Sequence, residues 1–406
     1  MQKQEQEIID NIVKLGIMAL NSGDVQRGVQ YFEEAIKINF NHVGAYLGLV
    51  RAVEVGNSHP YCARLESFPL ETIEAYLKQN PELLVSSPVS LLDRAVSNNL
   101  SIGLIKVILD AGANPNDDYV LYHAIISGCP NKYELVNLLL DYGADSNIEY
   151  QLTFGQNKEM CTPLGEIIWN VKDIELATLL IVHNADVNYI SKCDNGESWS
   201  LLDMAVRTDN VPMIQLLLEN RADPNSGRWF IKGYSYQMDY MTFYCALSEA
   251  ILVTKNKDVV RLLLKYGANP SYKYKDYTTH TYDTTRLVDG EYERSCLKDA
   301  ILANSSEMVD MLLEAGADIN TTYYSKSYEE HWDDPPNASS ILDVAKSNGN
   351  RIILALIQGA IDKDNLKKEK ESLQKELPWV NGMFANRRRK KIEARLVEIE
   401  EKLERM

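Results

Sequence analysis

The sequence predicts an all-α fold: an α-solenoid of stacked helix pairs with long inserted β-hairpin fingers, a helical cap at the amino end and a charged helical tail. Three observations carry this. A helix-ending phrase recurs seven times, and a helix-starting phrase recurs roughly twenty residues ahead of each. The helix-pair segments keep a constant length, whereas the segments joining one pair to the next do not.

The ending phrases are ILDAGANPN (108–116), LLDYGADSN (139–147), LIVHNADVN (180–188), LLENRADPN (217–225), LLKYGANPS (263–271), LLEAGADIN (312–320) and LIQGAID (356–362). Each closes an apolar run with Gly or a substitute, followed by Ala and then Asn or Asp. Glycine enters the left-handed conformation past a helix end without steric penalty, and Asn is the usual second choice, so these phrases read as helix stops. The starting phrases are VSLLDRAV, YVLYHAII, CTPLGEII, SLLDMAV, CALSEAI, SCLKDAI and SILDVAK. A small or polar residue followed by Leu and then Ala or Ile sets one apolar helical face.

Two helices per unit with these endings resemble ankyrin repeats, whose signature is T-P-L-H-x-A followed by a second helix ending L-L-x-x-G-A-D/N-x-N. The resemblance covers about residues 87–362. Thr162, Pro163 and Leu164 keep the first part, while the His position holds Asp93, Tyr122, Gly165, Asp203, Ser248, Lys298 and Asp343. The second half is better kept. The stops at Gly112, Gly143, Asn184, Arg221, Gly267, Gly316 and Gly359 lie 31, 41, 37, 46, 49 and 43 residues apart, against the usual 33. The excess is expected where ankyrin repeats place their β-hairpin loops. The resemblance implies protein recognition without catalysis, through the concave surface made by the fingers and first helices.

Residues 1–60 are similar to a single tetratricopeptide repeat: Ile12, Leu15, Gly16, Ala19, Gly28, Phe32 and Ala35 occupy its bulky, small and aromatic positions, and Tyr46 and Leu49 begin another. They are expected to cap the array, a peptide-binding site of their own being the alternative, and to join it through a connecting segment, 61–86, with one helix over 69–84. Residues 363–406 lack the repeat signature. Leu366, Leu373 and Leu377 form one stripe, Ile392, Leu396, Ile399 and Leu403 a second with 4-3-4 spacing, and Pro378 and Gly382 interrupt them, which fits a helical hairpin or a coiled-coil tail. The basic run Arg387, Arg388, Arg389, Lys390 and Lys391 opposes a helix dipole and is expected to meet acid, on this chain, on a second copy through self-association of the tail, or on a partner.

Composition narrows the function. A net charge of −16 disfavours direct binding to nucleic acid or anionic membrane, and it favours a neutral or basic protein partner. Cys62, Cys129, Cys161, Cys193, Cys245 and Cys296 form no C-x-x-C pair, so a reduced, cytoplasmic setting is expected, with Cys161, Cys245 and Cys296 as core thiols. No signal peptide, membrane span, phosphate loop, dinucleotide fingerprint or hydrolase motif is legible, and no metal or cofactor is expected. His42, His59, His123, His183, His280 and His331 are isolated from one another and read as packing or surface residues. Asp93, Asp203 and Asp343 are expected to satisfy amides at helix starts.

Three inserted segments, 226–243, 272–293 and 321–338, hold 15 aromatic residues among 58, about 26% against 9% for the whole chain. Tyr and Trp offer large contact area at low entropic cost, so these fingers are the expected partner-binding region. The candidate anchors are Trp229, Tyr234, Tyr236, Tyr272, Tyr274, Tyr277, Tyr323, Tyr324 and Trp332; about half of the finger aromatics are expected to pack finger against finger instead. Two other readings stay open: an acidic decoy of a nucleic-acid-handling protein, and a sensor holding a small ligand between the fingers.

Overall fold

The computed structural model describes the chain apart from residues 1, 53–59, 85–89, 118, 155–156, 195, 236–237, 283–284, 328–336 and 380–384. Side chains are further undescribed at 2–3, 153–154, 157, 230–235, 238–242, 275–282, 285–292, 326–327, 379 and 385–386. The chain forms two compact units, Met1–Ser191 and Lys192–Met406. The division falls inside the segment that resembles ankyrin repeats, between the third and fourth helix pairs.

In the first unit, helices Gln2–Asn21 and Val25–Ile38 form a hairpin closed on Phe32, which is fully buried. The small residues here are required by that ring: a Cβ added at Gly16 would lie 2.7 Å from it, and one at Gly48 would also strike it. Helix Val43–Ala52 is buried along nearly its whole length because it packs on Val25–Ile38 and on the first helix of repeat one. The connecting helix expected over 69–84 is shorter. It comprises helix Leu70–Gln79, with Pro69 at its start, and a 3₁₀ turn at Pro81–Leu84, while the connecting segment also holds helix Pro60–Glu66. Leu70–Gln79 packs beside Val43–Ala52 and on the second helix of repeat one, so these two helices form a pair stacked on the array.

Repeats one to three come next: Leu91–Ser97 with Ile102–Asp110, Val120–Ile126 with Lys132–Asp141, and Pro163–Glu166 with Ile174–Val182. The second unit holds Leu201–Arg207 with Val211–Glu219, Ala246–Glu249 with Lys257–Lys265, Cys296–Leu302 with Ser306–Glu314, and Ile341–Asn348 with Arg351–Glu376. First helices begin on a hydroxyl where the sequence supplies one: Ser90, Thr162, Ser200, Ser295 and Ser340 each accept a hydrogen bond from the amide three residues on. Cys245 and Tyr119 make no such side-chain bond.

The pairs are not constant in length. In repeats three and five the first helix continues as a π turn, Ile167–Val171 and Ala250–Thr254, and ends on left-handed Lys172 and Lys255. Repeats one, four and six instead end the first helix on left-handed Asn99, Asp209 and Asn304, one residue nearer the start. A single inserted residue is thus absorbed as a widened turn.

Six of the seven stops take the form the sequence suggests. Gly112, Gly143, Asn184, Arg221, Gly267 and Gly316 are left-handed, and the Ala after each donates to the carbonyl five residues back, as in Ala144 to Leu139 at 2.9 Å. Gly359 is the exception. It lies inside helix Arg351–Glu376, and the lysine- and glutamate-rich residues beyond it give the chain no reason to stop. This helix turns at Leu377–Trp379 and packs against Ala385–Arg405, burying Ile392 and Ile399, with Arg395 bonded to both oxygens of Glu369 at 2.7 and 2.9 Å.

The Asn that ends a stop phrase joins neighbouring repeats. In the first unit the Asn116 carbonyl accepts from Asp145 N at 2.6 Å and its amide donates to Gly143 O at 2.9 Å; Asn147 does the same with Asp186 N (2.7 Å) and Asn184 O (2.9 Å). In the second unit Asn225 accepts from Asn269 N at 2.7 Å, and Ser271 accepts from Asp318 N at 2.9 Å. The residue two places before each bridge, such as Asn114 or Asp145, accepts from the bridge's own amide and holds the turn.

Strands accompany the mostly helical chain as hairpin fingers. The first unit has the hairpin Tyr150–Phe154 with Asn157–Cys161. The second has Gly227–Ser235 with Met238–Cys245, Lys273–Tyr282 with Thr285–Ser295, and Thr322–Ser327 with Asn337–Ser340. The strand Ser198–Ser200 joins the first of these, and the other two hairpins form one four-stranded antiparallel sheet through Thr285–Ser295 and Thr322–Ser327. Aromatic and β-branched residues make them strands rather than loops.

Asn147→Ala is expected to remove two inter-repeat bonds and lower the stability of the first unit by about 1–2 kcal/mol, with Asn147→Asp, which keeps the acceptor, falling between. Urea unfolding followed by circular dichroism checks this. Ending the chain after Glu376 is expected to leave the repeats folded, because it removes the second tail helix and keeps Arg351–Glu376 whole; the same titration reads it.

Candidate functional site

The fingers of the second unit have two faces, fixed by strand register. Arg228 lies opposite Tyr244 and Trp229 opposite Phe243. Successive side chains point to opposite sides of a strand, so Arg228 and Tyr244 share one face and Trp229 and Phe243 the other.

The first face meets the helices through alternating cations and rings. Arg207 and Arg228 each lie 5.0 Å from the Trp199 ring, and Arg228 also sits 5.1 Å from Tyr244. The two guanidinium groups converge on Glu249, Arg207 at 2.8 Å on one oxygen and Arg228 at 3.1 Å on the other. Tyr244 packs 5.0 Å from Tyr274, whose hydroxyl donates to Asp299 at 2.7 Å. Arg294 bonds the second Asp299 oxygen at 2.7 Å. Burial raises the Tyr274 phenol well above its ordinary value, with Asp299 adding to the effect, so it stays a donor. Tyr323 closes the series: it shares a 2.6 Å hydrogen bond with Ser295, Lys298 lies 4.7 Å over its ring, and burial pushes its phenol up to about 12.

The recurrent first-helix acids are therefore not all caps. Asp343 is one, accepting from the Ser340 amide at 3.0 Å and hydroxyl at 2.7 Å. Asp93 bonds His123 of the next repeat at 2.7 Å, and the start of its own helix is capped by Ser90. Asp203 is fully buried, and neither carboxyl oxygen has a hydrogen-bond partner among the described residues. Burial first and the nearby charge of Glu249 second push it up to about 8, against the pull of Arg228 and Arg207. The serine hydroxyl at Ser200 already serves the helix start, which leaves this carboxyl to the inter-repeat seam.

Because the folded Asp203 value lies above the ordinary 3.8, its contribution to stability is present below about pH 4 and is lost as the pH rises through about 8. Wild-type chain is expected to lose stability over that window relative to Asp203→Asn, which has no proton to release. Urea midpoints of the two proteins across the window would converge on one pH dependence if the carboxyl ionised at an ordinary value.

The second face turns away from the helices. Trp229 lies 5.1 Å from Phe243, and Phe243 lies 5.6 Å from Tyr272, forming a row across two fingers. Trp229 is 44% exposed and Tyr324 is 47% exposed, while Tyr272 is half-buried and pushed up to about 12 by burial. The structure thus separates the candidate anchors. Trp229, Tyr272 and Tyr324 offer surface. Tyr274 and Tyr323 do not, being 6% and 1% exposed, and this corrects their reading as partner contacts: each has its hydroxyl occupied by a first-helix residue or cap. Tyr236 and Trp332, and the side chains of Tyr234 and Tyr277, lie outside the described residues.

Sequence reasoning missed Trp199, Arg207, Arg228, Glu249, Arg294 and Asp299. An available signal was the acid four places after the helix-start residue, at Glu166, Glu249 and Asp299. In the tail, Arg387, Arg388, Arg389, Lys390 and Lys391 are exposed; Arg388 pairs with Glu376 of the preceding helix and Arg389 with Glu393 at 3.7 Å. No group of three or more His, Cys, Asp or Glu side chains able to hold a metal occurs among the described residues.

A family model described as "Ankyrin repeat" matches residues 198–228. No curated protein matches the chain. Among solved structures, the human ASB11 ankyrin repeat domain is similar at 20% identity, covering 64% of this chain and 99% of that one with a TM-score of 0.39. The matched segment runs from the strand of Trp199 through both helices of the fourth pair and its left-handed stop to Arg228. Over residues 198–228 the chain matches an ankyrin repeat.

Proposed function

We propose that the protein is a non-catalytic binding scaffold or adaptor, and that its partner, a neutral or basic protein, docks on the outward aromatic face of the fingers. Ankyrin repeats generally mediate protein–protein interaction. The observation that carries the finer reading is the row Trp229, Phe243 and Tyr272, with Trp229 and Tyr324 each more than two-fifths exposed on strands whose other face is engaged through Arg228, Tyr244 and Tyr323. Large exposed aromatics on a braced surface are suited to act as anchors, since little side-chain freedom is lost on binding. The chain's −16 charge adds a long-range preference for basic partners. The exposed basic tail supports a second, separate contact, including with another copy of the chain, and the same reading places the protein in the cytoplasm. No described helix is long and apolar enough to cross a membrane.

Trp229→Ala and Tyr324→Ala are expected to weaken partner binding by about 2 kcal/mol, roughly thirtyfold, while leaving the melting temperature nearly unchanged. Tyr274→Phe is expected to do the reverse, lowering stability by about 1–2 kcal/mol with affinity intact. A partner captured from cell extract, followed by calorimetric titration of these variants, separates the two behaviours. Wild-type affinity in both exposed variants would refute this face as the docking site.

A further inference from the structure

Cys245 and Cys296 stand one position apart in the repeat frame, at the roots of two successive fingers, Cys245 as a helix cap and Cys296 just after the cap Ser295. Cys245 ends the strand Met238–Cys245 and stands as the cap residue of helix Ala246–Glu249; Cys296 follows the strand Thr285–Ser295 and opens helix Cys296–Leu302. Their sulfur atoms are 3.8 Å apart, in van der Waals contact, and the Ser248 hydroxyl lies 3.3 Å from one and 3.4 Å from the other. Where other first helices of this unit begin on a serine that caps the helix, this one begins on a thiol whose side chain makes no capping bond.

We propose that Cys245 and Cys296 are a dithiol modification site, oxidised reversibly to a disulfide by a low-molecular-weight disulfide such as oxidised glutathione. The geometry supplies what each step needs. Cys245 is the attacking sulfur. Hydrogen bonds from Cys296 and then Ser248 hold its thiol below the ordinary value, against the opposing effect of burial, whereas the shared bond and burial push Cys296 well above it. Cys245 gives its proton to solvent and its thiolate attacks one sulfur of the reagent, forming a mixed disulfide and releasing one thiolate, which takes up a proton from solvent. Cys296, already in contact, then attacks Cys245 Sγ, and its proton goes to the second thiolate released. Two protein thiols are oxidised and one reagent disulfide is reduced to two thiols, so atoms and electrons balance. The sulfurs must close from 3.8 Å to about 2.05 Å, a movement within reach of side-chain rotation when both residues lie on packed neighbouring elements.

The bond would tie the returning strand of one finger to that of the next and close a loop of about fifty residues, a length at which a cross-link stabilises by restricting the unfolded chain. Both sulfurs are nearly inaccessible, at 2% and 0% exposure, so the reagent must reach Cys245 through local opening of the finger root. Half-buried Cys129 and Cys193 are the more accessible thiols and serve as internal controls.

The full-length chain should be incubated with oxidised glutathione at a series of temperatures up to its melting point. Remaining thiols are then alkylated, and intact mass and disulfide-linked peptides measured. The expected result is loss of two hydrogens, a Cys245–Cys296 linked peptide, a melting temperature raised by roughly 5–15 °C, and full reversal by dithiothreitol. Cys296→Ala should stop at a glutathione adduct on Cys245. If both cysteines stay alkylatable after unfolding at every temperature while Cys129 or Cys193 reacts, or if the linked peptides join other pairs, the proposal is overturned and the two thiols are packing residues only.

Discussion

One side-chain amide, repeated at fixed places, lets the helix pairs stack. A left-handed stop leaves a carbonyl and an amide of the turn without helical partners, and the asparagine four residues after the stop in the preceding repeat supplies both an acceptor and a donor to them. The geometry of one stop therefore dictates the position of the next. Ser271 has a single hydroxyl where the others have an amide and makes one bond to the following stop, to Asp318 N. Asn320 finds no further stop to bridge and turns to Asp364 of the tail helix at 3.2 Å, consistent with the unbroken helix through Gly359.

With spacing set in this way, the first helices of each unit bring acids between neighbouring repeats, and each is handled differently by its neighbours. Asp93 meets a histidine, Glu249 two arginines, and Asp299 an arginine and a tyrosine hydroxyl. A buried charge is tolerated where it is both paired and hydrogen-bonded. Asp203 has neither a hydrogen-bond partner nor an arginine to itself, because Arg207 and Arg228 are committed to Glu249. Its proton takes the place of a counter-ion. The seam thus links the helices to the fingers: the arginines that neutralise Glu249 come from a helix and a strand, and they also clamp the Trp199 ring.

The described roots of the fingers are consequently braced on their helix-facing side. Their helix-facing side is held by ion pairs, cation–π contacts and phenol hydrogen bonds, and two of the three second-unit hairpins share a sheet. On the proposed function, rigidity on that side would leave the exposed aromatics ordered before a partner arrives.

The sequence by itself determined the helix stops, the capped starts and the presence of long inserted hairpins. These depend on contacts within about five residues, as when Gly143 or Asn184 takes a left-handed turn and the following Ala bonds back to a leucine. It also placed the buried stripes of the tail at Ile392 and Ile399. Tertiary structure decided the rest. Whether Tyr274 faces in while Trp229 faces out depends on strand register and on which acid stands on the adjacent helix. Whether Gly359 stops a helix depends on the residues beyond it, and whether Cys245 meets Cys296 depends on the stacking of repeats 51 residues apart. Local backbone preference is written in neighbouring residues, but the partner of a side chain is chosen by packing between repeats.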